Sequence, residues 1–563
     1  MQTTRLSLEF TTMSLTQMIL HQFNTIYGLI IRPESTQYLE EELGDIIQRN
    51  NLQKNNISNI IEEIANAYIK QNGQVDFVEL EKLQEVFKAL QISQKEKLRD
   101  VETMMPEEVD RDKFFQVINA FDIPRWKFSN ENKGFIRHDK PKVIGIFSSK
   151  APVYSERFDL INQRLKRKSG YLKRFTGSNK FENKLPSLKD LRGREGEEFT
   201  IFGLLTFSEG KYQLEDRDWQ IWLDLSECEI HGFYTEGNFI LAKGRYIEVQ
   251  KFKVTSIEHP PLEDPDDTRK EFGHLDFLGI PNSLEDEEII KRYEREWKNT
   301  FLVIMSDLWL DQSKTLVKLR TIFKIYQDEN SIPFVFVLIG NFLSEPFVNT
   351  EAHSAKYRAA FDGLGNLIAE FPSIARYSHF VFVPGYSDFC LNGRSPQRHI
   401  PNIYTSRLKS KIPKAVFTSN PCRIKYCSQE IVIFREDIVY KIKRNSIRTP
   451  RLLNAQESPE IHVTKTLLQQ SHLCPFPLFM KPIYRDYDHS LRLYPVPDVL
   501  ILADTYQDYS VDITMSRSIN SNLENSTTKK CHCLNPSGFS SGGYKWMVYW
   551  PWSRKSESCK LPS

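Results

Sequence analysis

Three apolar runs in this chain stop on residues whose types could hold a metal or a phosphate. FLVIM (301–305) leads into Ser306-Asp307-Leu308-Trp309, PFVFVLIG (333–340) into Asn341-Phe342, and HFVFVPG (379–385) into Tyr386-Ser387-Asp388. In an open α/β sheet, ligands bind beyond the carboxyl ends of the strands. A buried strand ending on an aspartate is where a metal-dependent hydrolase would place its first ligand. A two-metal site for attack on phosphate needs several carboxylate, imidazole and amide ligands. Asp307 and Asp388 qualify, but Trp309, Asn341 and Ser387 do not. An indole cannot ligate a metal, and a neutral amide cannot bridge two dications as a carboxylate does. Two divalent ions would be left largely uncompensated. His472 is an isolated histidine, and no G-H-x-H occurs in the chain. An aspartate after a strand also has a bland role, capping a helix or ordering a turn. That reading is favoured here for Asp307 and Asp388.

The elements that must position these residues follow from periodicity. The three runs read as strands buried on both faces, since they are continuously apolar rather than alternating. Between them, Leu316, Leu319, Phe323 and Tyr326, and then Tyr357, Phe361, Leu364 and Ile368, recur at helical spacing. Strands alternating with amphipathic helices predict a parallel-strand α/β core. Upstream, residues 196–261 carry five short strands split by turn signals such as Ser208-Glu209-Gly210. That suits a small closed barrel of the OB type. Phe207, Tyr212, Trp219 and Trp222 could stack bases there, but Glu209, Glu215, Asp216 and Asp218 surround them. The barrel is therefore expected to pack or dock rather than to bind nucleic acid strongly. Further upstream, Leu39, Leu43, Ile46 and Ile47, then Ile60, Ile64 and Tyr68, then Leu80, Leu83, Phe87 and Leu90 predict a small helical bundle.

The expected organisation is an extension (1–11), a helical domain (12–90), a connector (91–185), an OB-fold (186–262), a linker (263–298), the α/β domain (299–552) with a flexible insertion (506–530), and a tail (553–563). A chain of 563 residues is too long for one core. Its net charge of +2 gives no global pull toward nucleic acid or membrane. No apolar run reaches the length of a spanning helix, and the N-terminus makes a poor secretory signal. The basic stretch RLKRKSGYLKR offers Arg164, Lys166, Arg167, Lys168, Lys173 and Arg174 as nucleic-acid contacts, or simply as a solvated helix face. The eight cysteines are scattered, and Cys531-His532-Cys533 would strain a tetrahedral zinc site.

The order of the strand ends resembles the calcineurin-like metallophosphoesterases, whose pattern is D-x-H, G-D-x-x-D, G-N-H-D/E and G-H-x-H. Against it, Trp309 stands for a histidine, Asn341 for the bridging aspartate, and Tyr386 and Ser387 for asparagine and histidine. An OB-type barrel joined to such a degenerate domain resembles the B-subunits of the eukaryotic replicative DNA polymerases, and among them the epsilon branch. The stretches that carry this are AFDIPRWKF (120–128), SDLWLDQ (306–312), FVFVPG (380–385), FTSNPCRIKYCSQEIVIFRED (417–437), RLYPVPDVLILAD (492–504) and LNPSGF (534–539). The resemblance implies a multidomain α+β chain: helical bundle, OB barrel, and a phosphoesterase-like α/β sandwich with a degenerate metal site. It implies a non-catalytic nuclear subunit without cofactor or resident metal. Such a subunit holds the zinc-binding C-terminal region of the polymerase epsilon catalytic subunit. Its N-terminal domain, resembling the helical lid domain of AAA+ ATPases, links to the replicative helicase through GINS. DNA would be met weakly or through the complex. The alternative is a residual metal-dependent phosphoesterase or nuclease.

Overall fold

The structure, a computed structural model, describes residues 15–26, 29–50, 61, 64–65, 67–69, 77–87, 110–138, 151–167, 185–248, 250–273, 275–280, 287–389, 393–448, 458–515 and 529–561. The chain divides into two units, Met1–Val109 and Asp110–Ser563.

In the first unit, the helix Pro33–Asn50 and the helical turns around Leu15–Ile26 gather Met18, Ile19, Phe23, Leu39 and Leu43 into one core with Ile64, Tyr68 and Leu83. Ile30–Ile31 and Phe77–Val78 add a short parallel strand pair that the helical periodicity does not signal. Ile60 and Leu90 lie outside the described residues.

In the second unit, five strands close the expected barrel: Glu198–Ser208, Lys211–Glu215, Gln220–Asp224, Phe239–Glu248 and Lys251–Glu258. The first hairpin turns on Glu209 and Gly210, both at positive φ (50° and 75°). Two consecutive left-handed residues match the twist of the flanking strands, and glycine takes the second without a Cβ clash. Ile201, Leu205, Leu214, Ile221, Ala242 and Phe252 fill the interior.

Two six-stranded sheets make up the rest. The first runs in the order Ala415–Phe417, His379–Val383, Val335–Ile339, Leu302–Ser306, Lys545–Trp550 and Lys555–Lys560. Its first four strands are parallel, and the last two are added antiparallel. The second runs Tyr509–Thr514, Lys530–Asn535, Val499–Ala503, Gln429–Arg435, Cys422–Tyr426 and Phe115–Asn119.

Side-chain alternation divides each strand between two faces. In the first sheet Val303, Met305, Phe336 and Leu338 pack under the helices Ser313–Asp328 and Glu351–Ala369. In the second, Val432, Phe434, Leu500 and Leu502 pack under Ile438–Asn445 and Pro459–Gln469. The alternate residues, among them Ile304, Val337, Ile433 and Ile501, are fully buried too. Each contributes on the order of 2 kcal/mol of hydrophobic burial. The sheets also bond directly to each other: Tyr549 donates its hydroxyl to Gln429 Oε1 at 2.6 Å.

Several segments differ from the sequence reading. The stretch read as a connector supplies Phe115–Asn119, which pairs with Cys422–Tyr426 as the edge of the second sheet. It also supplies the helix Ala151–Arg167, whose Ile161 and Leu165 cover Phe202, Leu204, Phe239 and Leu241 on the barrel wall. The stretch read as a linker holds two helices, Pro265–Phe272 and Glu287–Glu296. The expected insertion at 506–530 begins instead with the strand Tyr509–Thr514, and residues 516–528 lie outside the described residues. The expected tail contains the strand Lys555–Lys560, paired along its length with Lys545–Trp550. The polar alternation of both strands (YSVDIT and KSESCK) hid them, since edge strands need only one apolar face.

Deleting residues 553–563 should therefore lower the melting temperature by about 2 °C, as loss of ~2 kcal/mol would in a unit of this size. Differential scanning fluorimetry checks this; an unchanged transition would mark the segment as a true tail.

Candidate functional site

Each strand end named in the sequence meets the others at one edge of the two facing sheets. Asp307 directly follows the strand Leu302–Ser306 and has φ of +52°. Its carboxylate is buried and accepts from the backbone N–H of Asn341 (3.1 Å) and the Asn341 amide (3.0 Å), both at Oδ1. Its main cationic partner comes from the opposite sheet. The strand Gln429–Arg435 ends with Arg435 on the same face as Ile431 and Ile433. That guanidinium is fully buried and donates Nη2–H to both oxygens of Asp307, at 2.9 and 3.0 Å.

Arg435 is bonded on every side. Nη1 reaches Asp437 Oδ1 at 2.9 Å and the Ala503 carbonyl at 3.1 Å, and Nε reaches the Gly340 carbonyl at 3.1 Å. The Tyr386 ring lies 5.0 Å from its centre, exposed on the outer side. Burial by itself works against the charge, but Asp307 and Asp437 outweigh it and hold the guanidinium protonated. A buried charge with all donors matched is tolerable where an unmatched one is not.

Asn341 and Asp388 fix the backbone around this pair. Asn341 Oδ1 accepts from Ser387 N–H at 2.9 Å. Asp388 accepts from Phe342 N–H at 2.9 Å and Gly385 N–H at 2.7 Å, which ties the second and third strand ends together. The approach is so close that a Cβ on Gly340 would strike the Asp388 carboxylate, and one on Gly385 would strike Asn341. Burial pushes the Asp388 carboxyl up to about 6, and burial does the same to Asp504, which accepts from Val439 and Tyr506 N–H. Trp309 is half-buried, and its backbone N–H donates to Ser540 Oγ at 3.0 Å. The LNPSGF segment reaches the site here: Phe539 N–H donates to the Ser306 carbonyl at 2.6 Å.

The arrangement is suited to binding one sheet to the other. Asp307 is already neutralised by a cation of the chain itself. Among the described residues, no group of three or more His, Cys, Asp or Glu is arranged to hold a metal. Arg435, Asp437 and Asp504 were not singled out by the sequence reading. The signal available was an arginine closing the apolar run IVIF, in register with the buried face.

The basic stretch divides. Arg164 is buried and donates to Ser471 Oγ, the Pro261 carbonyl and the Gln469 carbonyl. Arg167 pairs with Glu263 and donates to Tyr494 Oη. These two face inward and are not available to phosphates, a correction to their reading as nucleic-acid contacts. Lys166 is exposed, and Lys168, Lys173 and Arg174 lie outside the described residues. On the same helix Arg157 donates to Asp488 at 2.6 Å, and Arg492 donates to Glu156 at 2.8 Å. Burial opposes the Asp488 charge, but Arg157 and Arg492 keep its carboxyl well below the usual range. His472, aimed at Asp488 from 3.2 Å, is pushed down to about 4 by burial and by Arg157. It is a core histidine. Cys531 and Cys533 point into the core under the helices, and His532 between them points to the other face. Trp126 donates its indole N–H to the Asp276 carbonyl at 3.0 Å.

These features coincide with a known class of chain. Residues 302–511 match the family model of the DNA polymerase alpha/epsilon B-subunit. Residues 147–261 match that of the OB-fold domain of DNA polymerase epsilon subunit 2-like proteins, so the family's barrel module includes the Ala151–Arg167 helix. Over 549 residues the chain is 33% identical to DNA polymerase epsilon subunit 2 of Homo sapiens, covering 95% of this chain and 96% of the relative. It is 36% identical over 395 residues to the DNA polymerase epsilon B-subunit of Arabidopsis thaliana, covering 69% of this chain and 75% of the relative. The Schizosaccharomyces pombe B-subunit is 32% identical over 420 residues, covering 71% and 70%. The chain belongs to the DNA polymerase epsilon subunit 2 family, the B-subunits of that polymerase.

Two outcomes are expected from the site. Asp307→Ala and Arg435→Met should each cost about 3 kcal/mol, because each leaves a buried charge short of its partner. The double variant should cost less than the sum, by about 1 kcal/mol or more. Urea unfolding of the four proteins measures this, and strict additivity would contradict the pair's coupling. Asp388 contributes with the opposite sign to a salt-bridged carboxylate. Its folded pKa is about 6, above about 3.9 in the unfolded chain, so the folded state binds its proton more tightly. That contribution is full below pH about 4 and is lost as pH rises through about 6. Asp388→Asn should flatten the stability profile in this window, and an unchanged slope would exclude it.

Proposed function

We propose that this protein is an accessory subunit of DNA polymerase epsilon with neither polymerase nor phosphoesterase activity of its own. In this reading the barrel and the two-sheet domain form a scaffold for the C-terminal, zinc-binding region of the catalytic subunit. The N-terminal unit links the assembly to the replicative helicase through GINS. The chain acts in the nucleus during chromosomal replication and meets DNA chiefly through the complex.

The observation that carries this reading is the fully bonded Arg435 between Asp307 and Asp437. Where a phosphoesterase needs a water-filled, ligand-rich opening for two dications, this chain puts its own cation among backbone carbonyls. Trp309, Asn341 and Ser387 add no anionic ligand. The two-sheet architecture supports descent from a phosphoesterase-like domain whose chemistry has been replaced by internal cross-bracing. Family membership supports the polymerase partner, since relatives across their length are named as polymerase epsilon subunits.

Co-expression with the C-terminal region of a polymerase epsilon catalytic subunit should give a complex that survives size-exclusion chromatography. Purified chain with added manganese should show no phosphodiester hydrolysis that Asp307→Ala abolishes. Absence of a complex, together with Asp307-dependent hydrolysis, would restore the phosphoesterase reading.

A further inference from the structure

At neighbouring edges of the two six-stranded sheets, three side chains from three strands form a chain of hydrogen bonds that the scaffold role does not use. Asp512 and His532 are directly opposed across the Tyr509–Thr514 and Lys530–Asn535 strands. Asp512 Oδ1 lies 2.7 Å from His532 Nδ1. Ser556, on the Lys555–Lys560 strand of the other sheet, places Oγ 2.9 Å from His532 Nε2. A carboxylate only accepts, so Nδ1 carries the proton and Nε2 presents its lone pair to the Ser556 hydroxyl. That is the order of a serine nucleophile, its base, and the carboxylate that orients the base.

We propose that Ser556 is a reactive nucleophile toward small carboxylic esters, with His532 as general base and Asp512 as its orienting partner. The imidazole is locked in place: its ring stacks on the buried Tyr549 ring at 5.6 Å and 27°. Ser510 Oγ lies 2.8 Å from Ser556 Oγ and 3.4 Å from His532 Nε2, so both hydroxyls share one hydrogen-bond network with the imidazole. Ser556 is half-buried, and Ser510 and Asp512, bonded into the same cluster, are exposed, so an unhindered ester can approach from solvent.

The step balances without a cofactor. Ser556 Oγ bonds to the ester carbonyl carbon while its proton passes to His532 Nε2. Collapse of the tetrahedral adduct breaks the bond to the leaving alcohol, which takes the proton from Nε2. Water, deprotonated by the same nitrogen, then releases the carboxylic acid and restores the serine hydroxyl.

The test treats the full-length purified chain with a fluorophosphonate probe and maps adducts by peptide mass spectrometry. Ser558, exposed two residues along the same strand, is the internal reference. Ser556 should be modified well ahead of Ser558. His532→Gln should slow Ser556 modification ~100-fold, the usual worth of a positioned base, with thermal unfolding run alongside to verify the fold. Hydrolysis of p-nitrophenyl acetate should fall in Ser556→Ala. Equal modification of Ser556 and Ser558, or a rate indifferent to His532→Gln in a folded variant, would overturn the proposal. Either result leaves the scaffold reading intact, since polymerase binding is measured separately.

Discussion

The contact between Asp307 and Arg435 is the constraint on which the two-sheet domain depends. It joins the carboxyl end of a strand in one sheet to the carboxyl end of a strand in the other. An arginine without solvent must have each donor matched, and this one draws on two carboxylates and two carbonyls from four chain segments. Each of those segments is thereby held to within hydrogen-bond tolerance. Asn341 and Asp388 extend the same restraint to the second and third strand ends through backbone amides. An edge of the sheets that could have been an open cleft is closed from within.

The parts of the structure written in repetition were legible beforehand. Continuous apolar strands such as FVFVLI have few alternatives once helices flank them, and the Glu209-Gly210 hairpin signals its turn by residue type. The barrel followed from short strands at regular spacing. What escaped were features of long-range partnership. Arg435 reads as one more charged residue near a turn until a sheet 128 residues away supplies its aspartate. Arg164 and Arg167 read as part of a basic patch because sequence shows charge, not direction. Helical phase turns both toward Pro261, Glu263 and Ser471, whose positions only the tertiary fold defines. The strand Lys555–Lys560 was hidden because an edge strand with polar alternation resembles a solvated tail.

The strand-end residues stand together as a group, yet their individual roles depend on geometry. Asp307 neutralises a guanidinium, whereas Asp388 collects backbone donors from two loops. Burial raises the Asp388 carboxyl toward neutrality, while Arg157 and Arg492 keep the equally buried Asp488 ionised. The difference lies in the company each keeps: cations beside one, amide dipoles beside the other.

The helix Ala151–Arg167 is apolar toward the barrel and ionic toward the Asp488 region. Its salt bridges and its Leu and Ile side chains grip two bodies at once, leaving little compliance between them. A partner pulling on the barrel would load the sheets directly, as through a welded bracket rather than a hinge. A protein made this way can transmit force and orientation between whatever is attached to its faces.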